Sequence, residues 1–151
     1  MEIIELSKRQ YVEQDAVLYR LYSQFDNLLA ELRKRNLPNE AVVYINSGID
    51  LVNSMSDIGL KNQIKKTQAD ILKLLEKELK LVPQHHYRSY WMSTGLATFG
   101  LPIGVIYGIL NHNMAMLGVG LPIGLLIGMA VGAAMDKKAL KEGRQLGIEI
   151  K

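Results

Sequence analysis

The chain has 151 residues, 18 Lys+Arg against 15 Asp+Glu, no Cys and a mean hydropathy of +0.05. The three surplus positive charges are not gathered on a face interleaved with aromatics, so the high isoelectric point carries no nucleic-acid signal. The missing thiols exclude disulfides and thiolate metal sites. Such a length holds one modest domain plus a membrane element, and the near-neutral hydropathy pools two unlike parts: residues 1–82 with 12 basic and 12 acidic side chains, and a glycine-rich apolar stretch behind them.

The opening run MEIIELSKRQ lacks the basic start, apolar core and small-residue cleavage site of a signal peptide, so targeting is expected to come from later segments. Ser7 with Gln10 is a capping-box pattern, and Leu6 can meet Tyr11 as a hydrophobic staple. A helix is predicted from there. Leu18, Leu21, Phe25, Leu28 and Leu32 then step by three and four, the rhythm of a coiled-coil seam. Arg33, Lys34 and Arg35 suit its last turn, and Pro38 ends it by disfavouring helix at Leu37.

Asn39 is the expected cap of a second helix with the apolar face Val42, Ile45, Ile49, Val52 and Met55. Two serines, Asp57 and Gly59 predict a break between 54 and 59. Helix resumes near Leu60 and runs to Val82, with Ile64, Ile71, Leu72, Leu75, Leu79 and Val82 on one side, until Pro83. Residues 1–82 thus read as a cytosolic helical hairpin or coiled-coil module. Its leucine stripe serves either as its own core or as a seam for another copy or a partner helix. Two helices alone bury little surface, which favours oligomers.

Residues 83–90 form an interfacial linker. Tyr87, Tyr90 and Trp91 suit the boundary between water and lipid, with Arg88 beside them. His85 and His86 are adjacent, so they point apart on a helix, and no acidic or thiol partner is near. No metal and no cofactor is expected.

From Ser89 to Met135 there are 47 consecutive positions without Asp, Glu, Lys or Arg. A bilayer core about 30 Å thick needs roughly 20 apolar residues per helix, so 91–135 is a two-span transmembrane hairpin with arms at 91–110 and 117–135. Asn111, His112 and Asn113 make the polar turn. Gly100-Leu101-Pro102-Ile103-Gly104 recurs as Gly120-Leu121-Pro122-Ile123-Gly124. Gly100, Gly104 and Gly108 line one arm, and Gly120, Gly124, Gly128 and Gly132 line the other. Residues four apart share a helix face, so each arm carries a groove for close backbone packing. Folding at Met114 would set Gly108 opposite Gly120, Gly104 opposite Gly124 and Gly100 opposite Gly128. Spacing alone does not choose between packing within one hairpin and packing between copies.

The segment GLPIGLLIGMAVGAAMDKKALKEGRQL, with the region around it from residue 95, resembles uncharacterised bacterial glycine-zipper two-span membrane proteins. The resemblance covers about residues 95–151 and rests on repeated G-x-x-x-G followed by a D-x-K-A-x-x-E-G-R type tail. It implies a membrane protein with glycine-packed spans and brings no catalytic residue. The lipoprotein relatives need an N-terminal Cys, which this chain lacks.

Arg88 flanks the first span, and Lys137, Lys138, Lys141 and Arg144 flank the second, whereas the turn carries no basic residue. The positive-inside rule then predicts an inner (cytoplasmic) membrane protein with both termini cytoplasmic and 136–151 as a basic cytosolic tail. Asp136 is expected to be solvated, or to meet Lys137 or Arg88. No phosphate loop, nucleophile elbow or HExxH is present, so the chain does not read as an enzyme. Two function classes follow. One is a membrane-anchored interaction protein, associating through its glycine stripes and presenting residues 1–82 to a cytosolic protein. The other is an oligomeric pore or a toxin or defence effector. No nucleic-acid partner is expected.

Overall fold

The computed structural model describes residues 2–7, 9, 12, 15–56, 58–113, 115 and 117–150. Over these the chain is all-α, with five helices and no β-strand. It divides into two units: unit 1 is Met1–Val82 with Leu146–Lys151, and unit 2 is Pro83–Gln145.

In unit 1, α1 spans Ala16–Arg33. Its start differs from the expectation at Ser7. Asp15 caps it instead, accepting from the amides of Val17 (3.0 Å) and Leu18 (3.1 Å), with the Lys61 ammonium 2.5 Å from its carboxylate. The Ser7 amide is bonded elsewhere, to Asn53, and Gln10 and Tyr11, the other halves of the expected capping box and staple, lie outside the described residues. Leu18, Leu21, Phe25, Leu28 and Leu32 are all buried, together with Leu29. The stripe is spent inside unit 1's own core.

α2 is Asn39–Ser54. Asn39 is its first helical residue rather than its cap. Pro38 holds the cap position, and no side chain closes it. Val42, Ile45, Ile49 and Val52 face the core, but Met55 falls outside the helix and is exposed, because the chain leaves helical geometry there. The break expected near Ser54 to Gly59 is present. Gly59 adopts φ +90°, a left-handed conformation that favours glycine, and its carbonyl accepts from Asn62 and Gln63 as α3 begins. α3, Leu60–Leu74, continues as a π turn over Leu75–Leu79. Lys80, in left-handed geometry, ends it. Gly48 lets α2 approach α3: a Cβ there would come within 2.8 Å of the Thr67 methyl carbon.

Two irregular segments complete unit 1. Residues 2–7 pack on α1 and α2 with Ile3 and Leu6 buried. Residues 146–150 return after unit 2. Leu146, 1% exposed, enters the core and donates its amide to the Val82 carbonyl (2.8 Å), while Gly147 donates to Glu31 (3.1 Å). The 136–151 stretch is therefore not one free tail. Its first part is helix, and near its end Leu146 is core with Ile148 and Ile150 packed half-buried against it.

Unit 2 holds two helices, α4 (His86–Leu110) and α5 (Leu117–Lys141), each of 25 residues. Both exceed the expected arms. α4 starts five residues earlier, and α5 runs six residues further, through Lys137 and Lys138. Gly143, at φ +68°, closes α5, and the Arg144 amide reaches the Ala139 carbonyl.

Candidate functional site

The seam between α4 and α5 is built from glycine. A Cβ on Gly120 would lie 2.6 Å from the Gly104 Cα, and one on Gly124 would lie 2.5 Å from the Gly100 Cα. Gly128 abuts the backbone of Trp91 and Met92, and a Gly132 Cβ would lie 2.5 Å from the Arg88 Cα. No side chain fits at these positions. The stripes face each other inside one hairpin, and Gly108 is buried as well.

The register differs from the expectation by about one helical turn. Gly120 meets Gly104 rather than Gly108, and Gly124 meets Gly100 rather than Gly104. Gly95 is a further member, its Cβ position 2.6 Å from the Gly124 carbonyl oxygen. It escaped the four-residue count because it stands five residues before Gly100. The reason is local. Leu96–Gly100 is a π turn, with the Leu101 amide bonded to the Leu96 carbonyl. Pro102 has no N–H to continue the ladder, and a one-residue insertion just before it brings Gly95 onto the face of Gly100, Gly104 and Gly108. Pro102, seven residues after Gly95, was the available signal.

Asp136 finishes the seam. It is buried, 7% exposed, and its two carboxylate oxygens accept from the amides of Tyr87 and Arg88, both at 3.1 Å. These amides belong to the first turn of α4, where N–H groups have no helical acceptor. The cap of one helix thus comes from the last turns of the other. Asp136 is neither solvated nor paired with a side chain of Arg88 or Lys137, as had been expected.

At the same end, His86 and Tyr87 meet edge to face at 5.2 Å, as do Tyr90 and Trp91 at 6.2 Å. Tyr90, Arg88, Lys137 and Lys138 are exposed, and Tyr87 and Trp91 are half-buried. At the far end Asn111 donates to the Tyr107 carbonyl (2.9 Å), and the Asn113 amide donates to the Gly108 carbonyl (3.0 Å). Within α4 the Thr98 hydroxyl is satisfied by the Thr94 carbonyl (2.7 Å).

The outside of the hairpin is the reverse of a water-soluble one. Only 22% of each helix's apolar stretch is buried, and what is buried is mainly glycine. Leu110 is 71% exposed, Leu126 60% and Ile109 58%, with Phe99, Leu101, Val105 and Ile106 exposed beside them. An apolar surface this continuous requires an apolar neighbour. Both helices are long and apolar enough to cross a membrane. Among the described residues no three His, Asp or Glu side chains gather as a metal site requires. Comparison with protein-family models, curated proteins and solved structures finds no match to this chain.

Proposed function

We propose that this chain is a membrane-anchored interaction protein, without enzymatic chemistry of its own, in which α4 and α5 cross the cytoplasmic membrane as a closed hairpin and unit 1 is the partner-binding module. The observation that carries the reading is the inverted packing of unit 2, with glycine inside and Leu, Ile, Val and Phe outside. Water would favour the opposite arrangement. In lipid the apolar faces cost nothing, and close backbone contact holds the arms together.

Arg88, Lys137, Lys138, Lys141 and Arg144 stand at one end of the hairpin, and residues 111–113 carry no charge at the other. The positive end is cytoplasmic in this reading, with both termini. The glycines are occupied within one hairpin, so association of copies through them would require the hairpin to open. A conducting ring would need polar lining, which the outward faces do not offer. Discrete current steps from purified protein in planar bilayers would reverse that ranking.

The test is fractionation followed by labelling. The chain should stay with membranes through an alkaline carbonate wash and leave them in detergent. Because it has no Cys, His112→Cys and Lys141→Cys each create a single thiol. A membrane-impermeant maleimide added to intact cells should label only the first. A chain that is soluble without detergent overturns the reading.

A further inference from the structure

The charged end of unit 2 is lopsided. Lys138 and Arg144 share one acid, Glu142: the ammonium lies 4.0 Å from its carboxylate, and the guanidinium donates to it. Arg144 is also hydrogen-bonded to the Tyr87 side chain. Arg88 and Lys137 are exposed, and among the described residues neither makes an ion pair. Asp136, the nearest acid in sequence, is buried, with one oxygen on the Tyr87 amide and the other on the Arg88 amide.

Helix geometry sets the two unanswered cations on one side of the seam. Measured from Gly132, which faces α4, Met129 lies about 60° round α5 and Lys137 about 140° round in the same sense. Lys138 lies about 120° round the other way. The Arg88 guanidinium is on the Met129 side, with Nη2 3.7 Å from the thioether sulfur, a weak acceptor. Met129 stands seven residues before Asp136, about 10.5 Å of helix further from the charged end. Leu126, Ala130 and Ala133, on the same side of α5, are exposed.

We infer that this side of the hairpin binds the headgroup of one anionic phospholipid, with Arg88 and Lys137 as its ligands; the inference rests on the membrane reading of α4 and α5 proposed above. A cation facing lipid is costly without an anion, and no carboxylate of the chain answers these two. The guanidinium fork matches two oxygens of a phosphodiester, and the Lys137 ammonium adds a point charge. The acyl chains then run along Leu126, Ala130 and Ala133. A headgroup that carries its own choline or ammonium would bring a third cation to the pair. A headgroup with no cation, as in phosphatidylglycerol, is therefore preferred.

Trp91 is the one tryptophan of the chain and follows Arg88 by three residues, so its fluorescence reports on lipid at this site. The full chain is reconstituted in phosphatidylcholine vesicles in which a minor fraction of the lipid has brominated acyl chains, as either phosphatidylcholine or phosphatidylglycerol. Quenching should show about fivefold higher relative affinity for phosphatidylglycerol. Arg88→Gln/Lys137→Gln should bring the ratio to one. Lys138→Gln/Arg144→Gln, which removes as much charge from the other side, should leave it unchanged. Should the first variant unfold by circular dichroism, photoreactive phosphatidylglycerol is given to the native chain, and crosslinks should fall on Met129, Ala133 and Lys137. A native ratio of one, equal losses in both double variants, or crosslinks on Met135 and Lys138 instead would each overturn the site and leave the membrane reading standing. Absence of quenching even when every lipid is brominated would overturn the membrane reading, and the site with it.

Discussion

Single carboxylates fix the ends of helices in both units. Asp136 supplies both acceptors for the first amides of α4, and removing it leaves two donors orphaned at a helix start. Asp136→Ala should cost the hairpin about 1 to 2 kcal/mol, measured by unfolding in micelles, with Asp136→Asn costing less because one oxygen remains. In unit 1 the hydrogen bond from Lys61, and then the Leu18 amide, hold the Asp15 carboxyl below its ordinary 3.8. The Gly147 amide, and then Lys34, hold that of Glu31 below 4.5. A carboxyl depressed in the folded state favours folding above its unfolded value and loses that contribution as pH falls through its folded value. Denaturation midpoints should therefore fall as pH drops below about 5, and less steeply for Asp15→Asn/Glu31→Gln, as followed by circular dichroism. Of these partners only Arg88 was suggested by the sequence, and it meets Asp136 through its backbone amide rather than its charge. Asp136 and the α4 amides are 48 and 49 residues apart, and Glu31 and Gly147 are 116 apart, so only the folded chain joins them.

Elements were more legible than their partners. Leucine periodicity predicted α1, and proline and glycine predicted where the chain turns, because these signals act within a few residues. The start of α1 was misread because Ser7 has a stronger local motif than Asp15 and loses it to a tertiary contact with Asn53. The glycine faces were readable as stripes, but their register was not. It depends on where the chain turns back between α4 and α5, while the π turn before Pro102 shifts only the residues upstream of it, Gly95 among them, by one. The seam yields a sharp contrast between neighbours. Gly124→Ala puts a methyl into the Gly100 backbone and should open the arms, seen as loss of energy transfer between dyes on α4 and α5. Gly118 has nothing within 4 Å of its Cβ position. Gly118→Ala should leave the arms closed and raise stability by up to about 1 kcal/mol through helix propensity.

At the scale of the whole chain, unit 1 is assembled from both sides of unit 2: residues up to Val82, and then Leu146 onward. The uncharged run from 89 to 135 lies wholly within unit 2. The return of the last residues to unit 1 was not legible, because Leu146, Ile148 and Ile150 are too few to show a period. Leu146→Asp should lower unit 1's stability by more than about 2 kcal/mol, as an unpaired charge placed in a closed core, read as a shifted denaturant midpoint. The same topology sets an order of events during synthesis. The ribosome must finish the greasy pair of rods before it releases the residue that plugs the first unit, so that unit waits, incompletely sealed, while unit 2 is being made. A chaperone or a partner present in that interval would meet a form of the protein that the finished molecule no longer displays.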